Sequence, residues 1–189
     1  MTWLLWGCAG AGPHAPTASA AGGGGAGGDE NTPPLVAVLD AGPTPNTRGP
    51  CDSTFQTVAR TIFERTGCTG DVCHTTPGPD TPAAGLDLTP EDAYVDLVGV
   101  APRSPVGSAF LRVKPGDETA SLLYLKVAAA EPMGAPLPAG GGAPMPLGLP
   151  PLAAEQLALL RTWIRGGAPE TGVVDGTSDA VSACLASGQ

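Results

Sequence analysis

From Cys51 onward, apolar residues fall into short helical stripes separated by long breaks rich in glycine and proline. Phe55, Val58, Ile62 and Phe63 recur at the spacing of one helix face, which predicts an amphipathic helix ending near Gly67. A Cys-His segment follows, then a proline-rich loop to Leu86 and Leu88. Thr89-Pro90-Glu91-Asp92 reads as a helix start: an N-cap hydroxyl, proline at the first helical position, and acidic residues at the positive end of the dipole. That helix carries Ala93, Tyr94, Leu97 and Val98 on its apolar side. Asp117 is the expected cap of a helix through Leu122, Leu123, Leu125 and Val127. A Gly/Pro loop from Pro132 to Pro151 holds Met133 and Met145. The closing helix has Leu157, Leu160 and Ile164 on one stripe with Trp163 beside it, and stops at Gly166-Gly167. The expectation is a small all-α domain over residues 51–189, of about four helices with long loops. Its core lies within residues 55–168, with an acidic tail at 169–189. That core is thin for its loop content, so something else is expected to fill the middle.

Before Cys51 the pattern stops. Residues 9–50 are mostly Gly, Ala, Pro and Thr, and cannot bury enough apolar surface to order themselves. They read as a disordered tether reaching about 35 Å on the flexible-chain estimate. Gly22 to Gly25 follow no strand and open no helix, so they do not make a phosphate-binding loop. Leu35 to Leu39 is a short apolar run suited to a stray strand, and His14 is expected to be solvated. At residues 1–8, Leu5, Gly7 and Cys8 resemble a bacterial lipobox, with small residues Gly7 and Ala9 around the cleavage point. Only seven residues precede Cys8 and none is basic, so this would be a truncated signal, as a start assigned too far downstream would produce. The alternative is a hydrophobic start with an unrelated cysteine.

Composition narrows the function. The net charge is −9 with no Lys/Arg cluster, which removes the basic face that nucleic-acid binding requires. No apolar run approaches the roughly 20 residues of a membrane-spanning helix. With two histidines in the chain and His74 alone in the domain, no Ser-His-Asp or Cys-His-Asn set is expected once His74 serves as a ligand. Glu91 and Asp92 read as a capped first turn rather than a catalytic pair.

The five cysteines carry the candidate chemistry. Covalent haem attachment needs two thiols for two vinyl groups and an imidazole beside the second thiol to ligate the iron, usually as C-x-x-C-H. Cys68, Cys73 and His74 form C-x4-C-H, two residues longer, with Gly70 available to bulge the loop without strain. Other readings of the same residues stay open. Cys68 and Cys73 are spaced for a disulfide in an oxidising compartment, with Met145 then a gap-filling side chain. For zinc, two thiols and one imidazole fall one ligand short of a closed structural set.

Cys51 to Ala168 resembles the cytochrome c-like domains of myxobacterial and planctomycete lipoproteins, which are of class I cytochrome c type. The likeness is carried by Cys68 to His74, Gly85-Leu86-Asp87-Leu88, Pro115-Gly116-Asp117, Ser121-Leu122-Leu123, Met145-Pro146, and Trp163-Ile164 with Gly167-Ala168. It implies one covalent haem c on Cys68 and Cys73, with His74 as proximal ligand and a methionine from the loop before the last helix on the opposite face. Met145, followed by Pro146, is preferred; Met133, which opens the loop and precedes glycine, is the runner-up. A thioether ligand favours ferrous iron and raises the potential relative to two histidines. Because the terminal helices of such domains cross, the resemblance also implies a Cys51–Cys184 disulfide, the alternative being two free thiols.

The function so implied is single-electron transfer by a carrier, not an enzyme, outside the cytoplasm in the periplasm or at the outer membrane or cell surface. It would be held to a membrane only by a lipid on Cys8. Catalysis or small-molecule binding would arise only if neither methionine ligates. Residues 51–189 carry 15 acidic and 8 basic side chains, a net −7, which favours a redox partner with a basic docking face and no nucleic acid. The alternative function is a haem-free, disulfide-stapled lipoprotein module for surface or partner binding.

Overall fold

Ser53 starts the first helix: its hydroxyl accepts from the Gln56 amide at 3.2 Å, satisfying one of the orphan donors at the N-terminus of α1 (Thr54–Val58). In this computed structural model the described residues are 51–70, 73–75 and 82–187. The expectations for Cys8, His14, Leu35 to Leu39 and the tether therefore lie outside them.

α1 runs directly into a π-helical segment, Ala59–Glu64. The Thr57, Thr61 and Thr66 hydroxyls each donate to the carbonyl four residues back, competing with the main-chain ladder. Wider bonds then close the end, from the Arg65 amide to Arg60 and the Cys68 amide to Phe63. Gly67, at φ +79°, stops the helix. Its amide donates to Glu64 and the next amide, of Cys68, to Phe63, the paired bonds of a Schellman motif. The same arrangement recurs where α4 (Ala154–Arg165) ends, with Gly167 at φ +91° bonded to Ile164 and Ala168 bonded to Trp163.

Between these lie α2 (Ala93–Leu97), a 3-10 turn (Glu118–Ala120) and α3 (Leu122–Ala128). Two starts differ from expectation. The Thr89 hydroxyl does not cap α2; it and its amide both donate to Asp87, and α2 begins four residues later after a turn. Asp117 does cap, accepting from the Thr119 and Ala120 amides, but it caps the 3-10 turn, and α3 restarts after extended Ser121. On α4 the buried residues are Leu159, Leu160, Trp163 and Ile164, while Leu157 is only half-buried.

Residues 169–189 are not merely an acidic tail. Ser178–Ser187 form α5, which buries Val181 and Cys184 and packs on α1. The described chain thus has five α-helices rather than four, and its packed interior extends past residue 168. Ala, Val, Cys and Leu make too weak a stripe to announce this helix; its docking, and the bond from Cys184 to Cys51, hold it.

Among the described residues there are no strands, only two isolated bridge pairs, Val98 with Val113 and Leu111 with Ser121. The regular structure of the described residues is all-helical. α1 packs on α4 and α5, and α3 on α4, around Phe55, Ile62, Phe63, Leu97, Val113, Leu160, Trp163 and Ile164. Phe55 meets Tyr94 edge-on at 5.1 Å and Trp163 at 5.4 Å between ring centroids. The polar ends of both partners are satisfied, Tyr94 by the Ala168 carbonyl and Trp163 by that of Pro169.

Candidate functional site

The Schellman turn at Gly67 places Cys68 at the position that packs back on the helix, and Cys68 lies against the core beside Phe63. The loop then closes on itself. The Cys73 amide donates to Gly70 at 2.8 Å, and the His74 amide to Cys68 at 3.0 Å. Beyond His74 the chain returns beneath it, with the Ala83 amide bonded to Cys73 and the Leu88 amide to His74. Both thiols are free and half-buried, so the alternative disulfide between them is not formed. Burial pushes the Cys68 thiol up, partly offset by the Thr66 hydroxyl 3.2 Å away, with the nearby Cys73 adding to the rise.

His74 is half-buried, and its Nδ1 lies 3.1 Å from the Ala83 carbonyl. A carbonyl can only accept, so Nδ1 carries the proton in that contact. Burial pulls the imidazole below the usual histidine range; the Ala83 and Leu86 carbonyls oppose this, and the charges of Lys126 and Arg112 add to the lowering. The shift favours the neutral ring, the form that ligates a metal.

Arg112 supports this turn from below. It is 8 % exposed, and its guanidinium donates to the carbonyls of Ala84, Gly85 and Asp96. The adjacent Ala83–Gly85 3-10 turn presents the carbonyl that faces His74.

The two methionines differ sharply. Met133 is 97 % exposed, whereas Met145 is half-buried and packs against the same core cluster as Cys68. The Met145 amide donates to the Lys126 carbonyl at 3.0 Å, which fixes its loop to α3. Four residues on, Leu149 comes within contact of Gly67, where an added Cβ would lie 3.4 Å from it. The Met145 loop thus meets the chain immediately before Cys68.

At the opposite end of α1, Cys51 and Cys184 are joined, their Cα atoms 5.8 Å apart. This disulfide staples α5 to α1 and takes no part in the Cys68–His74 loop.

The donor set, two unjoined thiols with an imidazole next to the second, fits covalent haem attachment. It does not form a chelate: among the described residues no three His, Cys, Asp or Glu side chains converge as metal ligands. Two surface cavities lie elsewhere. One of about 510 Å³ is lined by Thr162, Arg165, Pro169 and Val174. Another of about 230 Å³ lies between Thr61, Leu159 and Ala183. No described helix is long and apolar enough to cross a membrane.

Lys126 and Arg112 were not among the residues expected at this site. Their partners are main-chain carbonyls distant in sequence, and a carbonyl acceptor leaves no mark on residue type. No family model, no curated protein and no solved structure matches this chain.

Proposed function

We propose that residues 51–189 form a c-type cytochrome domain that carries single electrons outside the cytoplasm. The observation that carries this reading is the half-buried His74 imidazole, held by the Ala83 carbonyl, directly following free Cys73 and one closed loop from free Cys68. In this reading Cys68 and Cys73 would hold one haem c covalently, and His74 and Met145 would ligate its iron. When bound, the haem supplies a one-electron iron couple, and everything else is the work of the polypeptide.

That work is local and electrostatic. The Ala83 carbonyl holds the imidazole in one tautomer and orientation. The main chain of Lys126 holds Met145 at the core boundary, where a thioether raises the potential relative to a second histidine. The net −7 of the domain favours approach by a basic face of a redox partner at low salt. Cys8, if lipidated, would keep the domain at a membrane surface within reach of its tether.

One observation favours a second reading, a haem-free module for surface or partner binding. The fold is already stapled by Cys51–Cys184, with no contribution from the free thiols of Cys68 and Cys73. Intact mass and a denaturing haem stain on the full chain, matured in a periplasm with haem-ligation machinery, separate the two. Haem that survives denaturation and is lost in Cys68→Ser or Cys73→Ser supports the cytochrome. A colourless folded protein, in cells that mature a control cytochrome c, sinks it.

A further inference from the structure

We propose that Lys126 is the positioning residue for Met145, a clamp that holds the methionine loop against α3; its redox consequence rests on the reading of Met145 as an iron ligand. Lys126 lies in the last turn of α3 and grips the loop at two points. Its carbonyl accepts from the Met145 amide at 3.0 Å, and its ammonium donates to the Ala143 carbonyl at 2.8 Å. Any residue would supply the first bond. Only a long side chain with a donor at its end supplies the second. Between residues 135 and 151, no other hydrogen bond among the described residues ties this loop to a helix; the Gly141–Pro138 bond is internal to it.

The ammonium reaches Ala143 by passing over Gly142. An added Cβ there would stand 3.2 Å from Nζ, on a backbone at φ +79° that suits glycine. Lys126 is half-buried and, among the described residues, forms no ion pair; the Ala143 carbonyl is the partner its ammonium has there. Cutting the side-chain bond leaves a glycine- and proline-rich loop attached to α3 through one main-chain bond, with Met145 free to leave the core boundary.

Amide hydrogen exchange on the full chain tests the clamp whether or not haem is present. In Lys126→Met, protection at Met145 is expected to fall about tenfold, with α1 and α4 unchanged, and Lys126→Arg is expected to retain it. In the haem-loaded protein, Lys126→Met is expected to lose the red charge-transfer band of ferric iron–methionine ligation and to have a lower midpoint potential at unchanged haem content. Unchanged protection at Met145, or a wild-type band and potential in loaded Lys126→Met, overturns the proposal. If Lys126→Met unfolds throughout, Lys126→Ala carries the test: it removes the side-chain donor and keeps the main-chain bond, and local loss of protection at Met145 supports the clamp while none overturns it. A wild-type protein that takes up no haem sinks the ligand reading alone, and the exchange data then still decide the clamp.

Discussion

Cys51, just before α1, is bonded to Cys184 in α5 across 133 residues of chain. In the chain-entropy picture a closed loop of that length stabilises by up to about 5 kcal/mol, and native disulfides generally deliver 2–5 kcal/mol. Cys51→Ser with Cys184→Ser is therefore expected to lower unfolding free energy by about 2–5 kcal/mol in urea titration. Exchange protection in α5 should disappear first, because Val181 and Cys184 are its only buried residues. An unchanged midpoint would show that α5 docks without the bond.

Arg112 serves three main-chain carbonyls, those of Ala84, Gly85 and Asp96. Arg112→Met keeps most of the volume and leaves these acceptors without their donor, at an expected cost of about 2–3 kcal/mol by thermal or denaturant unfolding. Arg112→Lys should recover little, since one ammonium does not reproduce the planar fork. Full recovery by lysine would show that charge near Asp96, not the fork, is what matters.

The Asp117 carboxyl is held below the usual carboxylate range, first by the Thr119 hydroxyl and then by the Lys114 ammonium. Its folded value is depressed, so its contribution is present above the ordinary aspartate value of 3.8 and is lost as pH falls through the folded value. Asp117→Ala is expected to be less stable than wild type at pH 7, and the two should converge as pH drops well below 3.8. A gap that stays constant to pH 2 would assign the loss to the hydroxyl and amide contacts alone.

Met145 and Met133 offer the same thioether from very different surroundings. In the haem-loaded protein, Met145→Ala is expected to abolish the ferric charge-transfer band and lower the midpoint potential by more than about 60 mV, tenfold in a one-electron equilibrium. Met133→Ala should change neither. The reverse result would transfer the ligand role to Met133.

What residue type and short-range spacing dictate, the chain showed before folding was considered. The helical class, the stop at Gly67, the stop at Gly166-Gly167 and the cap at Asp117 all rest on interactions within five residues, between groups whose preference is intrinsic. Cys68, Cys73 and His74 are joined by one short loop, so their proximity was local as well.

Tertiary structure decided the rest. α5 forms from a segment with little amphipathic contrast, because α1 and a covalent bond 133 residues away give it a surface to dock on. That Met133 stands in solvent while Met145 lies on the core became visible only in the packed structure. Lys126 to Ala143, Arg112 to Gly85 and Tyr94 to Ala168 are side-chain donors on distant carbonyls. Every residue has a carbonyl, so nothing in the sequence marks which one a donor will find; only the packed backbone does.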